Sequence, residues 1–220
     1  MKTHRIHRAL RLAIGALLLQ AYAAAGAAAQ EPPSTSEMTP AELEALFRAR
    51  TDSARMRVSE ADVQFMTGMI SHHAQALVMS GFAPEAGASP SIRTLTARII
   101  NAQKDEIALM QRWLRDRGRP VPDVHDSGHM DHAMEMPGML SPEQIEELSQ
   151  AKGSDFDRLF LIYMIQHHEG AVTMVHELFD TDGAALDDVS FRLASDIQVD
   201  QITEIARMRL MLEAMPDPSR

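Results

Sequence analysis

The sequence predicts an all-α protein: a four-helix bundle built from two copies of one helical hairpin. Alanine, leucine and methionine dominate, and aromatics make up only 5% of the chain, a bias that favours helix over strand. No run alternates Val, Ile or Thr as a half-buried strand does. A helix-length segment also occurs twice. Asp62-Val-Gln-Phe65-Met-Thr-Gly-Met69-Ile70-Ser-His72-His73-Ala-Gln-Ala76-Leu-Val-Met79 returns as Asp157-Arg-Leu-Phe160-Leu-Ile-Tyr-Met164-Ile165-Gln-His167-His168-Glu-Gly-Ala171-Val-Thr-Met174. Eight of the 18 positions are identical, namely Asp, Phe, Met, Ile, His, His, Ala and Met. The partner helices repeat as well: Gln103-x-x-Glu106-Ile107-x-x-Met110 matches Gln201-x-x-Glu204-Ile205-x-x-Met208.

In chain order, residues 1–29 read as a secretory signal peptide. Lys2, Arg5, Arg8 and Arg11 make a basic start, Leu10 to Leu19 is a short apolar run, and Ala27-Ala28-Ala29 offers a cleavage site. That run is short for a membrane span, so no stable membrane insertion is expected after cleavage. Residues 30–38 are a Pro/Ser/Thr linker, and 39–216 form the helical domain. Thr39-Pro40 starts a short helix to about Met56. The first hairpin covers 59–118. Ser59 and Asp62 resemble a capping box, and the helix runs to about Gly81 with 65, 66, 69, 70, 73, 76 and 77 on its buried face. Pro84 to Pro90 is a loop. The next helix starts at Ser89-Pro90 and is stopped by Gly118 and Pro120. Arg112, Arg115 and Arg117 sit in its last turns, where positive charge complements the helix dipole.

A connector, 119–140, separates the hairpins, and Ser141-Pro142 opens a short helix. The second hairpin covers 154–215, with Ser154-Asp155 expected as its cap. Its first helix reaches about Phe179, a loop follows from Thr181, and a last helix runs from about Asp187 to Ala214.

The chain has no cysteine, which excludes disulfides, thiolate metal sites and cysteine nucleophiles. Its formal net charge is −10. Residues 1–29 carry four positive charges and no acids, so their removal leaves −14. An acidic chain is a poor nucleic-acid binder and attracts cations.

Enzyme signatures are missing. No Glu is followed by His three residues on, as a ferritin-like di-iron site requires. His-Glu-x-x-His, Gly-x-Ser-x-Gly and the P-loop pattern are also absent. No catalytic role is expected, and an oxidoreductase using bound copper ranks last.

The unexplained residues are histidines and methionines. On a helix, Met69 stands beside His72 and His73, and Met164 beside His167 and His168. Adjacent histidines point about 100° apart, so one of each pair is expected to face the interior and the other its edge. Met79 and Met174 lie one or two turns further on. Glu106 and Glu204, with Gln103 and Gln201, are placed to approach as acceptors for a histidine N–H. The connector adds His125, His129, His132, Met130, Met134, Met136 and Met139 within 15 residues. Thioethers are soft ligands suited to Cu(I), and imidazoles suit copper generally. The competing account makes the same histidines core residues satisfied by carboxylates, and the connector a solvated tether.

These residues resemble a known family. They include Phe65-x-x-x-Met69-Ile70-x-His72-His73-x-x-Ala76, Met136-Pro-Gly-Met139-Leu-Ser, Gly153-x-x-Phe156-Asp157-x-x-Phe160 and Met164-Ile165-x-His167-His168-x-Gly170-Ala171-Val-x-Met174. Together they look like the bacterial exported ferritin-like family of formally unknown function, some of whose members are periplasmic copper-binding proteins tied to copper resistance. The resemblance covers roughly 59–215. It implies a ferritin-like bundle, export and, at the His-His pairs, neighbouring methionines and connector, copper. The expected function is therefore a periplasmic or secreted copper buffer or chaperone, whose partners are metal ions and other periplasmic copper-handling proteins. The alternative is a structural or interaction bundle with packed histidines and no metal.

Overall fold

The structure is a computed structural model that describes residues 38–55, 58–122 and 136–216. Every regular element among them is helical: α1 (Pro40–Arg55), α2 (Glu60–Gly81), α3 (Ala83–Ala86), α4 (Pro90–Asp116), α5 (Pro142–Gln150), α6 (Gly153–Phe179) and α7 (Asp188–Glu213). The chain divides into two compact units, Met1–Ala49 and Arg50–Arg220. In the first unit α1 begins at a reciprocal cap, in which the Thr39 and Glu42 side chains each accept the other's main-chain N–H.

Local chemistry sets the helix starts of the second unit. Ser59 and Asp62 form a full capping box for α2, and Ser141 and Gln144 do so for α5. Ser89 caps α4 with Pro90 in its first turn. α4 ends against Gly118, whose φ of 63° only glycine adopts without strain.

Two boundaries differ from expectation. The stretch after Gly81 is not all loop, because Ala83–Ala86 makes one helical turn before Gly87 reverses the chain at φ 69°. Ser154-Asp155 does not cap α6. Gly153, at φ 57°, turns the chain one residue earlier, and the Lys152 carbonyl accepts the N–H groups of Asp155 and Phe156. Main-chain bonds thus satisfy the donors a side-chain cap would take.

The four long helices pack α2 on α4, α2 on α6 and α6 on α7. Their apolar residues form two clusters rather than one core. One holds Met66, Met69, Trp113, Met174 and Val175, and the other Met79, Leu95, Phe156, Phe160 and Met164. α2 supplies the first cluster up to Ile70 and the second from Ala76, and α6 runs the other way. The layer between the clusters is polar. It contains His72 and His73 of α2, Gln103 of α4, His167 and His168 of α6, and Gln201 and Glu204 of α7, all buried.

Reciprocal clamps tie the helix pairs together. Asp62 of α2 accepts the Ala185 N–H at 2.8 Å in the turn between α6 and α7. Asp157 of α6 accepts the Ser89 N–H at 3.2 Å in the turn between α2 and α4. These bonds account for the aspartate that both repeats keep, beyond any interaction with the helix dipole. Asp187 ties the far ends: it caps α7 and accepts from Trp113 Nε1 at 2.9 Å and the Arg117 guanidinium at 2.8 Å. Arg117 also lies 4.2 Å over the Trp113 ring, so its role is structural, as expected.

Candidate metal centre

All four histidines of the repeated pairs are at 0% exposure, so the expectation of one inward and one edge residue per pair is corrected. The reason is that α2 and α6 are each covered on more than one side. His73 faces α4, where its Nε2 meets Glu106 Oε2 at 2.7 Å. His72 points to a different side, towards the end of the connector, and meets the Pro137 carbonyl at 3.0 Å. His168 faces α7 and meets Glu204 Oε2 at 2.8 Å, while His167 reaches back to the His72 carbonyl at 3.0 Å. The His72 and His167 rings lie 3.9 Å apart between centroids, tilted by 41°.

These partners fix the tautomers. Carbonyl and carboxylate oxygens only accept here, so each Nε2 carries the proton and donates. Burial, then the neighbouring His73, pushes His72 down to about 3 from the ordinary 6.5. Burial and the adjacent His72 hold His167 well below that value. Burial also lowers His168, outweighing the attraction of Glu204. These three rings are neutral at pH 7, and the His168–Glu204 contact is a hydrogen bond to a neutral imidazole rather than an ion pair. With Nε2 protonated, the proton-free atom of each neutral ring is Nδ1. The Nδ1 atoms of His72, His73, His167 and His168 are all buried and have no hydrogen-bond partner among the described residues. A buried acceptor left unpaired costs about 1–3 kcal/mol, so the three of His72, His167 and His168 in one layer are a substantial penalty.

The connector's last residues close over this layer. Gln75 clamps Leu140 through two bonds, at 2.8 and 3.0 Å. Gly138, at φ 76°, lies on Gly170 of α6 so closely that a Cβ at position 170 would stand 2.0 Å from the Pro137 oxygen. Only two glycines permit this approach, and it is what brings the Pro137 carbonyl to His72. Met136 is delivered beside the layer too. A Cβ at Gly68, one turn before His72, would lie 3.1 Å from Met136 Sδ and 3.4 Å from Met174 Cε. The missing side chain at Gly68 thus leaves space where two thioether side chains meet.

The remaining sequence candidates divide. Met69 and Met174 belong to one apolar cluster, and Met79 and Met164 to the other. Met139 is half-buried. His125, His129, Met130, His132 and Met134 lie outside the described residues. Gln103 and Gln201 do not bond the histidines; Gln103 has neither amide end paired among the described residues. The sequence reading gave Gln75 no role, and it quoted Gly138 and Gly170 only as motif residues. Their one signal was the Gly170 that replaces Gln75 at the same place in the repeat. Among the described residues, no group of three or more His, Asp or Glu already stands in a metal-holding arrangement.

Residues 62–212 match the family described as Domain of unknown function (DUF305). The chain belongs to the DUF305 family. A DUF305 fragment from Deinococcus radiodurans is 31% identical over 72% of this chain and 99% of its own, with a TM-score of 0.61. A DUF305 protein from Streptomyces coelicolor, presumed secreted, is 27% identical over 70% of this chain and 92% of its own, with a TM-score of 0.60. CopM in its Cu(II)-bound form is 30% identical over 69% of this chain and 95% of its own, with a TM-score of 0.56. CopM has also been solved in Cu(I)-bound and silver-bound forms. A comparison with curated proteins finds no significant match. No helix among the described residues of this DUF305 chain is long and apolar enough to cross a membrane.

Proposed function

We propose that this DUF305 chain is an exported copper-binding protein that buffers or chaperones copper in copper homeostasis or resistance. The observation that carries the reading is the layer of buried imidazoles whose Nδ1 atoms have no partner. A ring nitrogen lone pair held proton-free at pH 7 is a ready metal ligand, and nothing has to be deprotonated to use it. Metal binding would relieve the cost of leaving those atoms unpaired. Each Nε2 already donates to a carbonyl or carboxylate, the second-layer bond that orients a ligating histidine. The thioethers of Met136 and Met174 beside the layer add soft donors suited to Cu(I). The relationship to CopM, solved with Cu(I), Cu(II) and silver, supports the same choice of ion.

In this reading copper is cargo and no catalysis is needed. His72 and His167 are the primary pair, being nearest each other. His73 and His168 stand on either side, and Met69, Met79 and Met164 flank them. His125, His129, Met130, His132, Met134 and Met139 are further candidate ligands. We further read the fold as a ferritin-like four-helix bundle of two duplicated hairpins. The matched His73–Glu106 and His168–Glu204 bonds and the reciprocal aspartate clamps support that reading. Residues 1–29 act as the export signal.

A second reading has one observation in its favour. Every Nε2 is satisfied, as in a structural core histidine. Titration of the purified protein with Cu(I) and Cu(II) against a competing chelator separates the two. The copper reading expects at least one ion retained per chain. Loss of both ions to a moderate chelator would overturn it.

A further inference from the structure

α7 carries an apolar stripe that the bundle does not cover. α2, α4 and α6 each leave one large hydrophobic residue exposed, Val78, Leu109 and Ile162, whereas α7 leaves five. Four of those five, Phe191, Val199, Ile202 and Leu210, fall on one line with the smaller Ser195 and Ala206. At about 100° per residue the six lie within an arc of about 100° and run for about 29 Å along the helix. The Ser195 hydroxyl is spent on its own helix, donating to the Phe191 carbonyl at 2.7 Å, so the stripe presents no unmet polar group there. Phe191 is steadied at one end by the Phe179 ring, 5.5 Å away between centroids. An exposed apolar strip of this extent marks a surface that meets something.

The pattern of the stripe says what it meets. Successive gaps are 4, 4, 3, 4 and 4 residues, and the sizes run large, small, large, large, small, large. Both read the same from either end. A two-fold interface brings residue i of one copy to residue j of the other and j to i, so a palindromic stripe is complementary to itself. Two α7 helices set antiparallel place Val199 against the second copy's Ile202, Ser195 against its Ala206 and Phe191 against its Leu210. Large side chains then meet at the centre and at both ends, and the small pairs between them let the helices approach.

Charge agrees with that register. Asp196 and Arg207 flank the stripe on one side, and both are exposed. Neither forms an ion pair within the chain among the described residues. In the antiparallel pair Asp196 comes within two residues, about 3 Å along the axis, of the second copy's Arg207, and symmetry repeats the contact. On the other side Val172 of α6 joins Ile202, Ile205 and Ala206 in a groove of about 260 Å³, a hole for a side chain of the second copy.

We propose that α7 is a homodimer interface, on which a second copy of this chain docks antiparallel about a two-fold axis between Val199 and Ile202. One helix pair is a small interface, so the association is weak, in the micromolar range, and grows with concentration. Sedimentation velocity of the full chain across that range tests it, the sedimentation coefficient being expected to climb from the monomer's value to the dimer's. Ile202→Asp sets a carboxylate into the apolar centre twice per dimer and is expected to weaken association about tenfold or more. Thermal melting confirms that this exposed substitution leaves the fold intact. Asp196→Arg and Arg207→Asp are each expected to weaken association severalfold, and the two together to restore it. A chain that stays monomeric throughout leaves the stripe to a different partner and overturns the proposal. So does a dimer that Ile202→Asp leaves unchanged, which places the interface elsewhere. A double charge variant no stronger than either single one overturns the antiparallel register. The stripe holds none of the proposed copper ligands, so copper retention by Ile202→Asp is expected to match the unaltered chain.

Discussion

Replacing His72 and His167 together with glutamine is expected to weaken copper binding by about 100-fold or more, while the metal-free protein stays folded. The substitution is chosen for its atoms. A glutamine Nε2–H occupies nearly the place of the histidine Nε2–H, so the bonds to the Pro137 and His72 carbonyls have a replacement donor. The unpaired Nδ1 has no counterpart in glutamine. Loss of outer-layer partners alone typically costs 10–100-fold in metal affinity, so removing two proposed ligands belongs at or beyond the upper end. A chelator competition on wild type and variant, with urea denaturation of both metal-free proteins, reads the two quantities apart. Unchanged copper affinity with a large loss of stability would return these histidines to a structural role.

The second large effect is acid sensitivity. In the unfolded chain His72, His167 and His168 titrate near 6.5; in the folded protein burial keeps all three lower, His72 down to about 3. Above pH 6.5 neither state is protonated, and the histidines leave stability flat. As pH falls below 6.5 the unfolded chain takes up protons that the folded one refuses, so stability falls. The loss approaches about 1.4 kcal/mol per pH unit for each group and ends for His72 near its folded value. Each group that stays neutral in the fold adds to this loss, against a total stability of about 5–15 kcal/mol for an ordinary domain. The metal-free protein is therefore expected to lose stability progressively as pH falls below 6.5. Urea midpoints measured from pH 7.5 downward should drop steeply below 6.5, and the His72→Gln/His167→Gln protein should show a shallower slope. Midpoints that hold flat to pH 5 would mean that these rings already carry protons in the folded state.

Much of the fold was legible in the sequence because its signals are local. Capping boxes at Ser59 and Ser141, Pro90 in the first turn of α4 and Gly118 after it are decided within a few residues. The Glu106 and Glu204 partners were also visible, since the repeat carries them in register with the histidines. What escaped depends on chain segments far apart. That His72 and His73 are both buried follows from cover by α4, α6 and the Met136–Leu140 segment together, and helical periodicity sees only one face at a time. The Gly138–Gly170 approach, the Gln75–Leu140 clamp and the crossed Asp62 and Asp157 bonds join residues from 32 to 123 positions apart. Nothing local marks them. The α6 start moved because a left-handed glycine does the work assigned to Ser154, a choice that depends on backbone angle rather than residue type.

Silver titration of ¹⁵N-histidine-labelled protein, followed by the imidazole nitrogen resonances, tests the central claim most directly. Silver is diamagnetic and stands in for Cu(I). Before metal, the spectra should show Nε2-protonated neutral rings for His72, His167 and His168. With one equivalent of Ag⁺, the Nδ1 resonances of His72 and His167 should move while their Nε2 protons stay in place. Silver retained by the protein with those Nδ1 resonances unmoved would contradict the account.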